Sequence, residues 1–405
     1  MIDRELLPDA ELEALLSDVR QSSPFYQAKF ATLSVKKFSD LPFTTKSELL
    51  QDQLQHPPYG SIISQPLEQY SRLHQTSGTT TGQPLRWLDT PRGWGSLIDC
   101  WVQIFHHVGV CPADRIMFPF SFGPFLGFWT AFEAAMKMGC LVLPGGGLTT
   151  SARLRMMLDH QATVICCTPT YALRLVEAAE AESLDLVNSS IQKLVVAGEP
   201  GGSIPGTREI IANAFGAAVY DHYGMTEIGP VAVEPAGAPP GMLVLNDFYR
   251  AEIVNPTTGE NVHDGETGEL VLTNPRREGS ALVRYRTGDM VRGEQTAQGL
   301  FLHGGIIGRT DDMIHIRGNN LYPSAIEAIV RRFPEIAEFE IIVAQNGPLA
   351  DLVLKIETTH THVVSALQQA VRNELLFRPE VILVPAGTLP RFEMKSKRVS
   401  YQNGN

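Results

Sequence analysis

Four apolar runs constrain this chain more than any other feature: RIMFPF from Arg115, CLVLPGGG from Cys140, ATVICCTP from Ala162 and KLVVAGEP from Lys193. Each ends in a turn, and helix-patterned stretches such as SARLRMMLDH and YALRLVEAAEA lie between them. Buried strands alternating with helices build a mostly parallel sheet covered by helices. After Gly229 the texture changes. Short strands (MLVLND, AEIVN, GELVLT, ALVRYRT, GLFLHGG) are separated by turn signals such as Asn255-Pro256 and Asp264-Gly265, which predicts a smaller antiparallel region over about 230–307. Near Gly308 it changes again. DMIHIRG, a helix from Pro323 to about Arg332, EFEIIVAQ, DLVLKIETT and a helix near VVSALQQAVRNELLF form a compact α+β unit. Residues 1 to about 70 read as helices and loops. The expected fold class is α/β with α+β. A large N-terminal domain, 1–308, holds the parallel sheet and the β subdomain, and a small mobile C-terminal domain spans 309–405.

The composition agrees with a globular chain of more than one domain: 405 residues, 43% hydrophobic and 19% charged. The 33 basic and 44 acidic residues give a formal charge of −11, with no long basic run, so nucleic acid is not an expected partner. The acidic start, MIDRELLPDAELEALLSDVR, does not resemble a signal peptide, and no apolar stretch reaches the ~18 residues of a spanning helix. The cysteines (Cys100, Cys111, Cys140, Cys166, Cys167) form no CxxC pair, so the expectation is buried thiols, no zinc, and a cytoplasmic location away from membranes.

One loop has the residues of a phosphate cradle, although a Ser/Thr/Gly stretch taken alone is more often a solvated loop. Thr76-Ser77-Gly78-Thr79-Thr80-Thr81-Gly82-Gln83-Pro84 offers hydroxyls, backbone N–H groups and glycines that allow close approach to an oxyanion. It lacks the spacing and lysine of a Walker A loop. Four further motifs follow in order: Ala197-Gly198-Glu199-Pro200, Tyr223-Gly224-Met225-Thr226-Glu227, Tyr285-Arg286-Thr287-Gly288-Asp289, and GRTDDMIHIRGNNLYPSAIE from Gly308. Pro390-Arg391-Phe392-Glu393-Met394-Lys395 closes the series.

With these motifs in this order the chain resembles the adenylate-forming superfamily of acyl-CoA synthetases and adenylation domains. SPFYQAKF, DLPFTTKSEL and HYGMTEIGP resemble its phenylacetate-CoA ligase branch. The resemblance implies activation of a carboxylic acid by ATP and Mg, with release of pyrophosphate, and transfer of the acyl group to a thiol. That thiol belongs to coenzyme A or to the phosphopantetheine arm of a carrier protein. A non-catalytic nucleotide-binding homologue is the other alternative. Oligomeric state is left open, a homodimer among the choices.

Two anions must meet in such a reaction, so cations and donors are needed where charge develops. The resemblance gives Glu227 to the magnesium and Thr226 to the α-phosphate. Tyr223 would stack on adenine, with Gly224 beside it and the turn Gly198-Glu199-Pro200 on the other side. Asp289 would hold the ribose hydroxyls and Arg309 would assist. Lys395, five residues after Pro390, would bridge the carboxylate and α-phosphate in the transition state, and Asp311 would be the hinge on which the small domain turns. The loop departs from the family's SGTTG by one threonine and lacks its usual lysine, leaving Arg86 as a substitute cation. Phe122, Gly123, Phe125 and Phe128, with Tyr171 and His222, are the expected acyl pocket, and so many rings favour a flat or aromatic acid.

Overall fold

The computed structural model describes residues 9–33, 37–76, 83–316, 319–345, 351–392 and 396–403. Most of the phosphate loop (77–82) and the segment 393–395, with Lys395, lie outside the described residues.

Among these residues a single mixed sheet of eleven strands organises the large part of the chain. Strands Leu141–Pro144, Arg115–Phe118, Val164–Cys167, Lys193–Ala197 and Ala218–Met225 lie side by side and parallel. They are the apolar runs of the sequence, with Ala218–Met225 added. Val164–Cys167 is buried throughout, as a strand covered on both faces must be. The helices between them open on hydroxyl caps: Thr149 Oγ1 accepts from Ala152 N and Thr168 Oγ1 from Tyr171 N.

The antiparallel strands expected over about 230–307 are present and continue this sheet. Gly229–Val233 folds back on Ala218–Met225, and a register shift at Tyr223/Gly224 marks the change of direction. A Cβ on Gly224 would stand 2.7 Å from Gly229 O, so the close return needs glycine. Gly241–Val244, Gly299–Arg309, Tyr285–Thr296, Thr267–Thr273 and Arg250–Val254 extend the sheet outward. The run ALVRYRT is strand only from Tyr285. Arg284 before it has φ 46° and spends its guanidinium on Glu252, Ser39 O and Leu41 O.

Two cores flank the sheet. One holds Trp101, Phe118, Phe128, Tyr223 and Tyr285; the other holds Met117, Leu154, Tyr171, Leu175 and Phe215. All five cysteines are unpaired and only Cys111 is exposed. Burial pushes the thiols of Cys100, Cys140, Cys166 and Cys167 up from their ordinary value. No described helix is long and apolar enough to cross a membrane.

The C-terminal unit has its own core of Ile316, Ile326, Phe339, Leu354 and Leu367. Its four-stranded sheet runs Glu380–Val384, Asp351–Glu357, Glu338–Gln345, Val399–Asn403. Helices Pro323–Val330 and His362–Leu375 pack with it. The outer strands Glu380–Val384 and Val399–Asn403 were not expected, and each pairs parallel with its neighbour.

Candidate active site

The strand Ala218–Met225 carries both His222 and Tyr223. Tyr223 Oη donates to Asp289 Oδ2 at 2.6 Å. Arg309, on the neighbouring strand, donates to Asp289 Oδ1 at 3.2 Å and to Asp311 Oδ1 at 2.8 Å. Gly288, with φ +76°, makes room for this group, since a Cβ there would stand 2.8 Å from Arg309 Nη2. Burial raises Asp289 to about 6 against the opposing Arg309 charge, and burial raises the Tyr223 phenol well above its usual value. Tyr223, Asp289, Arg309 and Asp311 therefore form one connected group although they come from three separate motifs.

Glu227, beyond the turn, is buried, with its side chain 6% exposed. The Tyr285 hydroxyl lies 3.4 Å from its Oε1, and Lys46 Nζ lies 3.1 Å from the same oxygen. Lys46 opens the helix Lys46–Gln55, whose Thr45 and Glu48 form a reciprocal cap. The preceding Thr44 is fixed to the site's own strand: Thr44 N donates to Arg284 O and Arg286 N to Thr44 O, both at 2.9 Å. Sequence reasoning quoted Lys46 within DLPFTTKSEL but assigned it no role.

A second unforeseen group braces this region. Arg277 donates to Asp89 Oδ1 and Oδ2 at 2.7 and 2.8 Å, with both side chains fully buried, and to Thr226 O at 2.8 Å. Asp89 ends the strand Arg86–Asp89, which leaves the phosphate loop. The loop's base is closed by Thr76 N to Leu85 O at 2.9 Å and Leu85 N to Thr76 Oγ1 at 3.0 Å. Arg277 thus fixes the phosphate loop's exit strand against Thr226. The Arg86 side chain points elsewhere, donating to Pro58 O at 3.0 Å beside Leu50, Gln53 and Leu54. The cation standing at Glu227 is Lys46.

The aromatic segment folds as a cluster. Phe122 contacts Phe120, Trp129 and Phe132 at 4.6 to 5.3 Å between centroids, and Gly123 O accepts from Trp129 Nε1 at 3.0 Å. Phe125 lies near Phe120, and Phe128 packs on Trp101, which in turn lies 4.4 Å from the His222 ring. His222 Nδ1 is 2.9 Å from Ala232 O. Burial lowers this imidazole to about 4, so it is neutral, with Nδ1–H donating and Nε2 left as an acceptor. Tyr171 is not part of this group. It belongs to the second core, where Arg153 donates to its hydroxyl at 2.7 Å. Aromatic character alone did not reveal which sheet face it serves.

Gly198, with φ +95°, turns the chain after strand Lys193–Ala197, and Pro200 is exposed. Between them Glu199 reaches two partners: its Oε1 accepts from Thr170 N at 2.9 Å and its Oε2 from Ser396 N at 2.6 Å. Asp311 lies in the exposed turn that leaves strand Gly299–Arg309.

Residues 8–277 match the AMP-binding enzyme family and residues 318–402 the AMP-binding enzyme C-terminal domain. The chain belongs to the AMP-binding enzyme family. It is 32% identical to the phenylacetate-coenzyme A ligase of Escherichia coli (strain K12), covering 98% of this chain and 94% of that one. It is 30% identical to the Pseudomonas putida phenylacetate-coenzyme A ligase at the same coverage. Within the family it stands in the phenylacetate-CoA ligase-like branch, as an AMP-forming acid–thiol ligase.

Among solved structures, 2-hydroxyisobutyryl-CoA ligase in the postadenylation state with 2-HIB-AMP superposes at TM-score 0.91 and 25% identity, over 97% of this chain and 88% of that one. The same ligase in the thioesterification state, with 2-HIB-AMP and CoA, gives 0.71 at 27% identity, over 99% and 91%. The chain is thus more similar to that ligase in its postadenylation state than in its thioesterification state.

Proposed function

We propose that this chain activates an aromatic carboxylic acid with ATP and magnesium and passes the acyl group to coenzyme A. The observation that carries the reading is the juxtaposition of the Tyr223–Asp289–Arg309 group with the buried Glu227 and its cation. In the first half-reaction a carboxylate oxygen attacks the α-phosphorus and the bond to pyrophosphate breaks. In the second, the thiolate attacks the acyl carbonyl and AMP leaves.

Asp289 accepts from the ribose hydroxyls, and Tyr223, held by its bond to Asp289, presents its ring to adenine. Thr226, braced through its carbonyl by Arg277, presents its hydroxyl to the α-phosphate. Magnesium takes oxygen ligands and only one or two protein carboxylates beside phosphates. Glu227 offers a buried, hard carboxylate oxygen, and magnesium there would take the place that Lys46 holds on Oε1 at 3.1 Å or share the carboxylate with it. Magnesium there would neutralise charge on the phosphates. Among the described residues no cluster of three or more His, Cys, Asp or Glu is gathered to hold another metal.

Lys395 supplies the cation between carboxylate and α-phosphate, and residues 309–405 turn about Asp311 between the half-reactions. The higher similarity to the postadenylation state supports this arrangement for the first half. The rings of Phe122, Phe125, Phe128 and Trp101 support a flat acid, and the neutral His222 supports one without a second negative charge nearby. Unpaired cysteines, four of them buried, suit a reducing compartment such as the cytoplasm.

Isotope exchange between pyrophosphate and ATP across a panel of acids tests the reading. Exchange should require magnesium and be strongest with aryl or arylacetic acids, and thioester should form with free coenzyme A. Exchange with no acid at all would end the proposal. Thioester formed only on a holo-carrier protein would replace the acceptor.

A further inference from the structure

We infer that His222, with Trp101 beside it, reads a hydroxyl group on the acid, so that the substrate is a hydroxylated aryl acid. This rests on the aryl-acid reading of the same site and narrows it.

The tautomer of His222 is fixed by its neighbour. Its Nδ1 lies 2.9 Å from Ala232 O. A carbonyl oxygen only accepts, so the proton of the neutral ring sits on Nδ1 and Nε2 keeps its lone pair. Ala232 is held in strand Gly229–Val233 opposite Tyr223, so the same bond sets the direction of the ring. Burial keeps the imidazole neutral, lowered to about 4. Nε2 has no hydrogen-bond partner among the described residues. Buried polar groups in folded proteins are rarely left unpaired, so an open acceptor at a binding site points to a donor on the ligand.

Trp101 adds a donor. Its ring lies 4.4 Å from that of His222, and its indole Nε1–H also has no hydrogen-bond partner among the described residues. Both side chains are buried, with His222 6% and Trp101 1% exposed. Neighbouring tryptophans are satisfied: Trp129 Nε1 donates to Gly123 O at 3.0 Å and Trp94 Nε1 to Glu133 Oε2 at 2.9 Å. His74 Nδ1 and Trp87 Nε1 are unpaired too, but those atoms are sealed inside the protein. The nitrogens of His222 and Trp101 are not sealed in that way.

The surroundings are apolar. Trp101 packs on Phe105 and Phe128 at 5.2 and 5.8 Å between centroids, and Phe128 on Phe120 at 5.6 Å. An acceptor and a donor thus stand together in a wall of rings. A flat ring suits the wall, but only a group that both donates and accepts uses both nitrogens. A hydroxyl does this. An amino group serves Nε2 as a donor. A methoxy group only accepts, and a methyl group does neither. A site that hydrogen-bonds a substrate hydroxyl rejects the analogue lacking it, because its own polar groups are then left unpaired.

The test follows pyrophosphate exchange on the full chain with aryl acids that differ at one ring position: hydroxy, amino, methoxy and methyl. The parent should use the best hydroxy acid about 10- to 100-fold better in kcat/KM than its methyl counterpart. The amino acid analogue should fall between them, and the methoxy analogue should do no better than the methyl. His222→Phe keeps a ring and removes the acceptor, so the hydroxy-to-methyl ratio should fall to about one. His222→Gln restores an acceptor oxygen and should recover part of the ratio. Trp101→Phe removes only the indole donor and should lower the ratio less than His222→Phe does. Each ratio is taken on one protein, so partial loss of folded enzyme cancels. If His222→Phe does not fold, His222→Leu meets the same demand. A parent that uses hydroxy and methyl acids alike would overturn the inference whatever the variants do, and so would a His222→Phe or His222→Leu variant that keeps the parent's ratio. A parent that exchanges with no aryl acid would instead remove the aryl reading beneath it.

Discussion

The nucleotide side of the molecule and the junction with its C-terminal unit are built from the same residue types but with opposite exposure. Around the phosphate loop's exit strand, Arg277 and Asp89 are both fully buried and bidentate. At the junction, Arg391 and Glu177 keep 25% and 34% of their side chains exposed. Breaking a buried pair strands a charge in low dielectric and costs about 3–5 kcal/mol, whereas exposed pairs contribute about 0–1 kcal/mol. Parts that must stay still are fixed by pairs too costly to open. The partly exposed Arg391–Glu177 pair at the junction is one that water can replace.

The sharpest test of this contrast is Lys395→Ala. Adenylate formation should be abolished with ATP binding nearly intact, and the variant should still pass pre-formed acyl-adenylate to the thiol. Lys397→Ala should be much milder. A dead Lys397→Ala beside a nearly normal Lys395→Ala would shift the register of the terminal motif.

Arg277→Ala comes next and should act on stability as well as rate. It leaves Asp89 buried and unpaired, and urea unfolding should show a loss of about 3–5 kcal/mol. A change below about 1 kcal/mol would mean that the frame is not what holds the loop's exit strand. Glu227→Ala should lose about 2–4 kcal/mol of transition-state stabilisation, read as the fall in kcat/KM at saturating magnesium; parental rates would remove Glu227 from the metal site.

The motifs made the Tyr223–Asp289–Arg309 cluster legible in the sequence because three of them each supply a residue to it. The brace was not legible. Asp89 and Arg277 are 188 positions apart, and neither stands in a recognisable pattern. Lys46 lay in plain view within DLPFTTKSEL, but only the fold brings its helix to Glu227. That Tyr171 packs in the second core, apart from the Phe122–Phe128 cluster, was not legible because a ring next to a strand end fits either core. Val399–Asn403 escaped notice because VSYQN lacks the apolar run of a buried strand, whereas Glu380–Val384 carries one, EVILV, and was passed over because it is short and follows closely on the predicted helix. The antiparallel strands were legible as strands, but their merging with the main sheet was not, since that depends on a tight return at Gly224.

A smaller effect concerns pH. Asp289 is raised to about 6, chiefly by burial. Its ionised form accepts from hydroxyl donors, so KM for ATP should rise as pH falls through about 6 and be flat above it. Stability runs the other way. A carboxyl raised in the folded state contributes stability at low pH that is lost as pH rises through about 6. Asp289→Asn should bind ATP weakly at every pH and show no inflection there; a persisting inflection would assign the titration to another group. The smallest effect belongs to the junction. Glu177→Ala should change unfolding stability by less than about 1 kcal/mol, yet slow adenylation more than thioester formation.

The distribution of thiols has a practical consequence at the bench. Coenzyme A consumption is conveniently followed with reagents that colour free sulfhydryls, and such reagents also colour protein. Here four of the five cysteines are sealed in the interior with thiols shifted away from their reactive form, and Cys111 alone faces solvent. The folded enzyme should therefore contribute a background of about one equivalent, rising towards five only on denaturation. A dye on Cys111 would mark the large domain at a single point, against which a second label on the C-terminal unit would test whether that unit moves.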